Sequence, residues 1–275
     1  MSELVYDIGM HDGDDSAFYL AKGFRVVAVE ADPELCASAT DRFRSFIECG
    51  ELTIVNRAIA EKAGPITFFR SKVSGWSTVV EALNRDNLAR GVAADSLVVD
   101  GMTLADLVAA HGDPFYLKID IEGMDHAALR SLVESPVRPR YLSMETSFAR
   151  WPKLASVRRD LELLTGLGYD RFKIVDEAQV PEQVPPDPPR AGRFVAHTFS
   201  DNASGLFGEE APGEWLDAAA ALEVFRRLCR QNWLPLLLYR DIRIYRYYVR
   251  IMRRLTGKSL NLDWYDIHAK HSSVG

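Results

Sequence analysis

Residues 6–35, YDIGMHDGDDSAFYLAKGFRVVAVEADPEL, decide how this chain folds. The stretch leaves an apolar run, Leu4-Val5-Tyr6-Asp7-Ile8, and turns through Gly9 and Gly13. It then takes helical spacing over residues 14–22, closed by Gly23, and resumes as a second apolar run over residues 25–30. Asp32-Pro33 starts another helix, with Asp at the N-cap and Pro at the first helical position. Strand, glycine turn, helix and strand make one βαβ unit, and strands buried on both faces read as continuous apolar runs. The rhythm continues outward through runs at residues 52–55, 66–69, 115–121 and 141–145, most of them separated by helical segments. Such alternation predicts an α/β three-layer sandwich, a mostly parallel sheet with helices on both faces.

Around that frame the chain has three irregular regions. Residues 72–95 are rich in polar residues, Gly and Asn, and are expected to cover the sheet edge or cleft as an ordered loop. Residues 181–192, PEQVPPDPPRAG, hold five of the thirteen prolines and predict an extended surface connection. Residues 193–199 can return as one last strand. From about Gly213 the charge changes: residues 226–258 carry nine Arg and one Lys against Asp241, a net +9, which leaves −15 for the rest of a chain whose total is −6. The expected organisation is a catalytic domain over residues 1–212. A helical, basic and aromatic extension over 213–275 packs on it.

Composition excludes several classes. Of 275 residues, 47% are hydrophobic and 26% charged, which rules out collagen-like and disordered chains. The net acidity speaks against nucleic acid as a partner. Cys36, Cys49 and Cys229 are odd in number and form no CxxC, which fits a reducing compartment. The N-terminal residues show neither a basic nor an apolar leader region, and the longest apolar stretch, 234–239, is too short to span a bilayer. A soluble, cytoplasmic protein is expected.

The chemistry-bearing residues cluster at predicted strand ends. Gly9 and Gly13 permit close approach of a ligand to the backbone. The loop departs from the dinucleotide GxGxxG, since His11 and Asp14 occupy two glycine places, and Asp12, Asp14 and Asp15 would repel a pyrophosphate. An acidic loop suits a cationic or neutral nucleoside. Glu30, 21 residues after Gly9, stands where a carboxylate accepts both ribose hydroxyls, with Ala31 beside it and Asn56-Arg57-Ala58 on the third edge of the same cleft. In Lys118-Ile119-Asp120-Ile121-Glu122-Gly123, alternation on a strand would point Asp120 and Glu122 to one face at its C-terminal end. Glu145 ends the next strand on the same rim.

These blocks, with YLKIDIEGMD at residues 116–125 and RPRYLSMET at 138–146, resemble the FkbM family of S-adenosylmethionine-dependent methyltransferases. The likeness spans about residues 5–145 and is weaker through 199–215 and the closing WYDIHA at 264–269. It implies a class I methyltransferase (Rossmann-like) fold with seven strands, six parallel and the last antiparallel, and O-methylation of a sugar, glycan precursor or related natural product. Carried over, it places Asp7, Gly9 and Gly13 in the methionine-end loop, Glu30 at the ribose and Asp120 beside the sulfonium. Ser16 stands where relatives often have Thr.

An alcohol becomes a good nucleophile as its proton leaves to a base, and His11, Asp120, Glu122, Glu145 and, more distantly, His126 are the candidates. The acidic pair could instead hold a divalent cation; the reading favours no required metal. The basic tail suits a terminal helix with a basic face, a weak membrane-surface contact or a dimer contact. Trp264, Tyr265, Asp266 and His268 could stack on and hydrogen-bond a sugar acceptor. Two other readings stay open: a nicotinamide-dependent oxidoreductase, which shares the Gly loop and Glu30, and a non-catalytic adaptor acting through its basic tail.

Overall fold

The computed structural model describes residues 3–73, 75–146, 154–231 and 264–273, together with 238, 244, 247, 248, 250–252 and 254. Seven strands form one sheet in the order β3 (Leu52–Asn56), β2 (Arg25–Glu30), β1 (Leu4–Ile8), β7 (Tyr116–Ile119), β8 (Tyr141–Glu145), β10 (Tyr265–His271), β9 (Tyr169–Asp176). Six run parallel, and β10 is antiparallel to both of its neighbours. This is the Rossmann-like, class I arrangement. The fully buried β1 and β8 explain the unbroken apolar runs of the sequence.

Alternation along β1 sorts the core into two layers. Tyr6 and Ile8 join Leu117, Met144 and Ile267 under α5 (Leu104–His111), α6 (Asp125–Ser131), α7 (Leu154–Gly166) and α8 (Ala218–Gln231). Val5 faces the opposite way, with Phe18 and Tyr19 of α1 (Asp14–Ala21) and Ala39 of α2 (Pro33–Arg42). Asp32 caps α2 as expected, its side chain accepting from the Glu34 N–H at 2.9 Å. A short helix, α3 (Arg44–Glu48), adds Phe46 and Ile47 to this second layer, and much of the rest is irregular chain. Phe207 stacks on Tyr116 with ring centres 4.3 Å apart, and Phe199 meets Phe18 edge-on at 4.9 Å. A buried ion pair, Lys22 to Glu210 at 2.8 Å, ties the segment down.

Four expectations are corrected here. Residues 193–199 are not a strand: the antiparallel place between β8 and β9 belongs to β10, and Phe199 is used as packing instead. Residues 72–95 are not a loop throughout, because they contain α4 (Glu81–Ala89). The run at 66–69 lies in β5 (Gly64–Ser71), which belongs to a separate three-stranded sheet with β6 (Ala94–Met102) and β4 (Ala58–Ile59). Pro181 sits inside a 3-10 turn, Glu177–Glu182, before the chain becomes irregular.

The stretch 213–275 contributes α8 and β10 to this one domain, so it is part strand as well as helix. Most of the basic run at 226–258 lies outside the described residues. Among the described residues no helix is long and apolar enough to cross a membrane.

Candidate active site

A cavity of about 360 Å³ opens over the C-terminal ends of β1, β2, β7 and β8, where open α/β sheets bind ligands. Gly9 makes its floor possible. At φ +86° it adopts a backbone that side chains disfavour, and a Cβ there would stand 1.9 Å from the Asp120 carbonyl oxygen. The turns after β1 and β7 therefore touch backbone to backbone. Across the loop, Glu30 is fixed by two main-chain donors: the His11 N–H at 2.9 Å and the Asp32 N–H at 2.8 Å. Burial pushes the Glu30 carboxyl up, against the pull of those two N–H groups. Each oxygen keeps lone-pair capacity for a further donor.

The residues expected around a nucleoside divide into two sets. Gly9, His11, Glu30, Ala31, Ala58 and Asp120 line the cavity. Asp7, Gly13, Ser16 and Asn56 are not in its lining and brace it from behind. Ser16 Oγ donates to Asp7 Oδ2 at 2.6 Å, and Asn56 Nδ2 donates to the Glu30 and Ala31 carbonyls at 2.9 and 3.2 Å. Gly13 is the N-cap of α1, packed against the Phe43 ring. Behind the loop lies a group the sequence did not single out. Lys118 reaches Asp7 at 3.0 Å, Asp15 at 3.1 Å and the Gly9 carbonyl at 3.2 Å. Burial opposes its charge, but Asp7, Asp15 and Asp120 hold its pKa well above the usual lysine value. Asp15 also accepts the Ser204 N–H on both oxygens at 3.0 Å, which pins the irregular segment to the site.

The carboxylates expected on one strand face need a correction. Strand β7 ends at Ile119, so Asp120 and Glu122 lie in the turn after it, and alternation does not govern them. Glu122 sits at φ 44° before Gly123 at φ 94°, which swings the chain round. Both acids still line the cavity. The Glu122 carbonyl accepts from Thr78 Oγ1 at 2.9 Å, and this holds the turn. Among the described residues, His11 and Glu122 are the two non-glycine positions with positive φ, and both face the cavity. Strain of this kind is kept where surroundings over-determine it and gathers at functional sites.

Beyond Asp120 the rim is crowded with acid. Glu145, Glu177 and Asp266 line it, and Asp125 lies close enough to feel Asp120. Burial, then Asp120, pushes Asp125 up to about 7 and does the same to Asp266. Glu145 is held well above the carboxylate range by burial and then by Asp125 and Asp120, and Glu177 by burial and then Asp266. Glu177 ends the β9 side of the sheet, and no motif in the sequence marked it. Only the antiparallel pairing of β10 brings it beside Asp266.

That pairing also splits the aromatic tail. Trp264 and Asp266 line the cavity, whereas Tyr265 turns to the opposite face and meets Phe225 edge-on. His268 is buried inside the sheet between Ser143 and Lys173, its pKa pushed down to about 3 by burial and then by Lys173. The acceptor-side reading thus loses Tyr265 and His268 from the cavity wall and keeps Trp264 and Asp266. Trp76 and Thr78 add to the wall from a region read as loop.

Comparison with known proteins gives this geometry a context. The profile of the methyltransferase FkbM domain matches residues 7–170. Among solved structures, a methyltransferase FkbM from Methylobacillus flagellatus KT is 17% identical over 63% of this chain and 40% of its own, with a TM-score of 0.42. The chain thus spans less than half of that protein. A structure described as the StiE O-MT, residues 942–1257, is 11% identical over 99% of this chain and 69% of its own, TM-score 0.41. A Haemonchus contortus phosphoethanolamine N-methyltransferase 2, solved with S-adenosyl-L-methionine, is 10% identical over 98% of this chain and 49% of its own, TM-score 0.38. No curated protein matches.

Proposed function

The chain belongs to the FkbM methyltransferase family, and from that premise we propose that it moves a methyl group from S-adenosylmethionine to a hydroxyl of a sugar, glycan precursor or related natural product. The observation that carries the reading is Glu30, a carboxylate anchored by two main-chain N–H groups on the wall beside the Gly9 turn. A ribose diol presents two donors, and the two Glu30 oxygens retain acceptor capacity for them. Asp12, Asp14 and Asp15 around the start of α1 favour a cationic ligand over a pyrophosphate. That argues against the nicotinamide reading. When bound, S-adenosylmethionine supplies a methyl carbon made electrophilic by the sulfonium.

The remaining work falls to the chain. Displacement at that carbon needs the acceptor oxygen in line with it, so positioning is much of catalysis. The β1 and β7 turns, locked together at Gly9 and Asp120, fix the donor side. We assign Asp120, the first residue past β7 and open to the cavity, as the group that accepts the hydroxyl proton as the new C–O bond forms. Glu122, His11 and Glu145 shape the same rim, and Trp264 offers an aromatic wall for a ring-shaped acceptor. Incubation with methyl-labelled S-adenosylmethionine and a panel of glycosides tests the reading. Labelled ether product supports it, and label found on nitrogen or carbon replaces the O-methyl assignment.

A further inference from the structure

The acid on this rim exceeds what a proton acceptor requires. Glu145 is 8% exposed, lines the cavity, and its Oε1 has no hydrogen-bond partner. The charged groups that act on it are carboxyls: Asp125, Asp120, Glu177 and Asp266. Lys118, a buried cation whose charge acts on Asp266, spends its hydrogen bonds and ion pairs on Asp7, Asp15 and the Gly9 carbonyl and makes none to a rim carboxylate. A buried carboxylate without a partner among like charges is expensive unless something positive arrives.

The methyl donor does not hydrogen-bond a rim carboxylate in this reading, and its sulfonium end falls beside Asp120. The residues that line the cavity for it, Gly9, His11, Glu30, Ala31 and Ala58, lie on the β1–β2 side of the sheet, with Asp120 next to them at the end of β7. Glu145 ends the strand beyond β7 and Asp266 lies on the strand beyond that, at about 4.8 Å per strand. A metal ion fits the geometry poorly, because among the described residues no group of three His, Cys, Asp or Glu side chains could hold one. An ammonium makes fewer demands: it donates up to three hydrogen bonds and tolerates spread acceptors. Trp264, in the same wall, adds an aromatic face of the kind that attracts organic cations.

We infer that the acceptor carries a protonated amine as well as the hydroxyl that is methylated, and that Glu145, Asp266 and Glu177 seat this amine. The inference rests on the methyltransferase reading above and narrows its substrate class to amino alcohols, amino sugars among them.

Calorimetry on the full chain, with and without S-adenosylhomocysteine, tests it with two probes of one shape: trans-2-aminocyclohexanol and trans-cyclohexane-1,2-diol, at fixed ionic strength. The amine is expected to bind about tenfold tighter than the diol. Glu145→Gln should remove that preference while leaving nucleoside affinity nearly unchanged. Glu177→Gln, at a half-buried position, serves if the first variant does not fold. Equal affinity for the two probes, no binding of the amine up to tens of millimolar, or a preference that survives in both variants overturns the inference. So does magnesium chloride stabilising the parent, but not Glu145→Gln, where the amine has no effect. Loss of S-adenosylhomocysteine binding in the parent would instead strike the methyltransferase reading, because the amine preference is read without the nucleoside too.

Discussion

The two sides of the cavity solve the problem of buried charge in opposite ways. On the β1–β2 side the buried carboxylates Asp7, Asp15 and Glu30 each have two partners or more. Asp7 has Ser16 and Lys118, Asp15 has Lys118 and the Ser204 N–H, and Glu30 has two main-chain N–H groups. On the β8–β10 side Glu145 Oε1 and Asp125 Oδ1 are buried without one. A fully partnered set is rigid before any ligand arrives, which keeps the ordering cost of binding low. A crowded, under-partnered set stays responsive to protons and to cations. One fold thus carries a preorganised half and a tense half.

The sharpest way to break the comparison is to remove the strand that builds the acidic half. Truncation after Gly257 deletes β10, which pairs with β8 and β9 on both sides. Read from the sequence alone, this cut would spare nucleoside binding, because that pocket was expected from the first 145 residues. With β10 inside the sheet, the cut exposes two ladders and Ile267 and Ala269 leave the core. The expected outcome is loss of a cooperative melting transition. A truncated protein that melts near the parent and binds S-adenosylhomocysteine would show the two halves are independent. Next in size is Asp120→Asn, isosteric and open to the cavity, for which turnover should fall by roughly 10²–10⁴-fold. Its melting temperature should stay close to the parent's. Parental turnover would move the proton-accepting role to Glu122, His11 or Glu145.

The legible and illegible parts of the sequence divide along the same line. The preorganised half is local: the strand, the Gly9 turn and α1 fall within residues 4–30, and Glu30 closes the next strand. A pattern of hydrophobicity and glycine therefore exposes it. The acidic half is assembled from Asp120 and Glu145, at the ends of the adjacent β7 and β8, and from Glu177 and Asp266, which join them only because β10 threads between β8 and β9. No local spacing encodes the arrival of Glu177 and Asp266. The same absence misdirected the reading of residues 193–199, whose alternation suits a strand but whose Phe199 packs on Phe18. It also misdirected His268, whose neighbours come from two other strands. Asp120 and Glu122 were found for a reason that failed, because their shared face comes from a turn and not from strand alternation.

Glu30→Ala sharpens the comparison from the partnered side. It deletes the acceptor for a ribose diol and leaves the His11 and Asp32 N–H groups without their carboxylate. Hydrogen bonds to a charged group contribute about 1.5–3 kcal/mol, so S-adenosylhomocysteine should bind about 10–100-fold more weakly by calorimetry. Unchanged affinity would remove Glu30 from the ribose.

The smallest effect is the pH dependence of stability. Asp125 and Asp266 have folded pKa values raised to about 7, against about 3.9 for an unfolded Asp. Between those values the folded protein holds protons that the unfolded chain has released, so stability falls as pH rises through the window. Each retained proton contributes a slope of up to ~1.4 kcal/mol per pH unit, reduced here because neighbouring carboxyls share the strain. The melting temperature should therefore climb as pH is lowered from about 7 toward about 5, the reverse of a protein whose acids are all paired. On the partnered side burial also raises Asp7 and Glu30, though Lys118 and the main-chain N–H groups pull the other way, so the rim's share of the climb is read from a rim variant. Asp266→Asn should flatten the climb, because a neutral amide no longer exchanges the proton. A melting temperature that is level or falling with acidification in the parent would mean the rim carboxyls are satisfied without protons, and the contrast between the two halves would disappear.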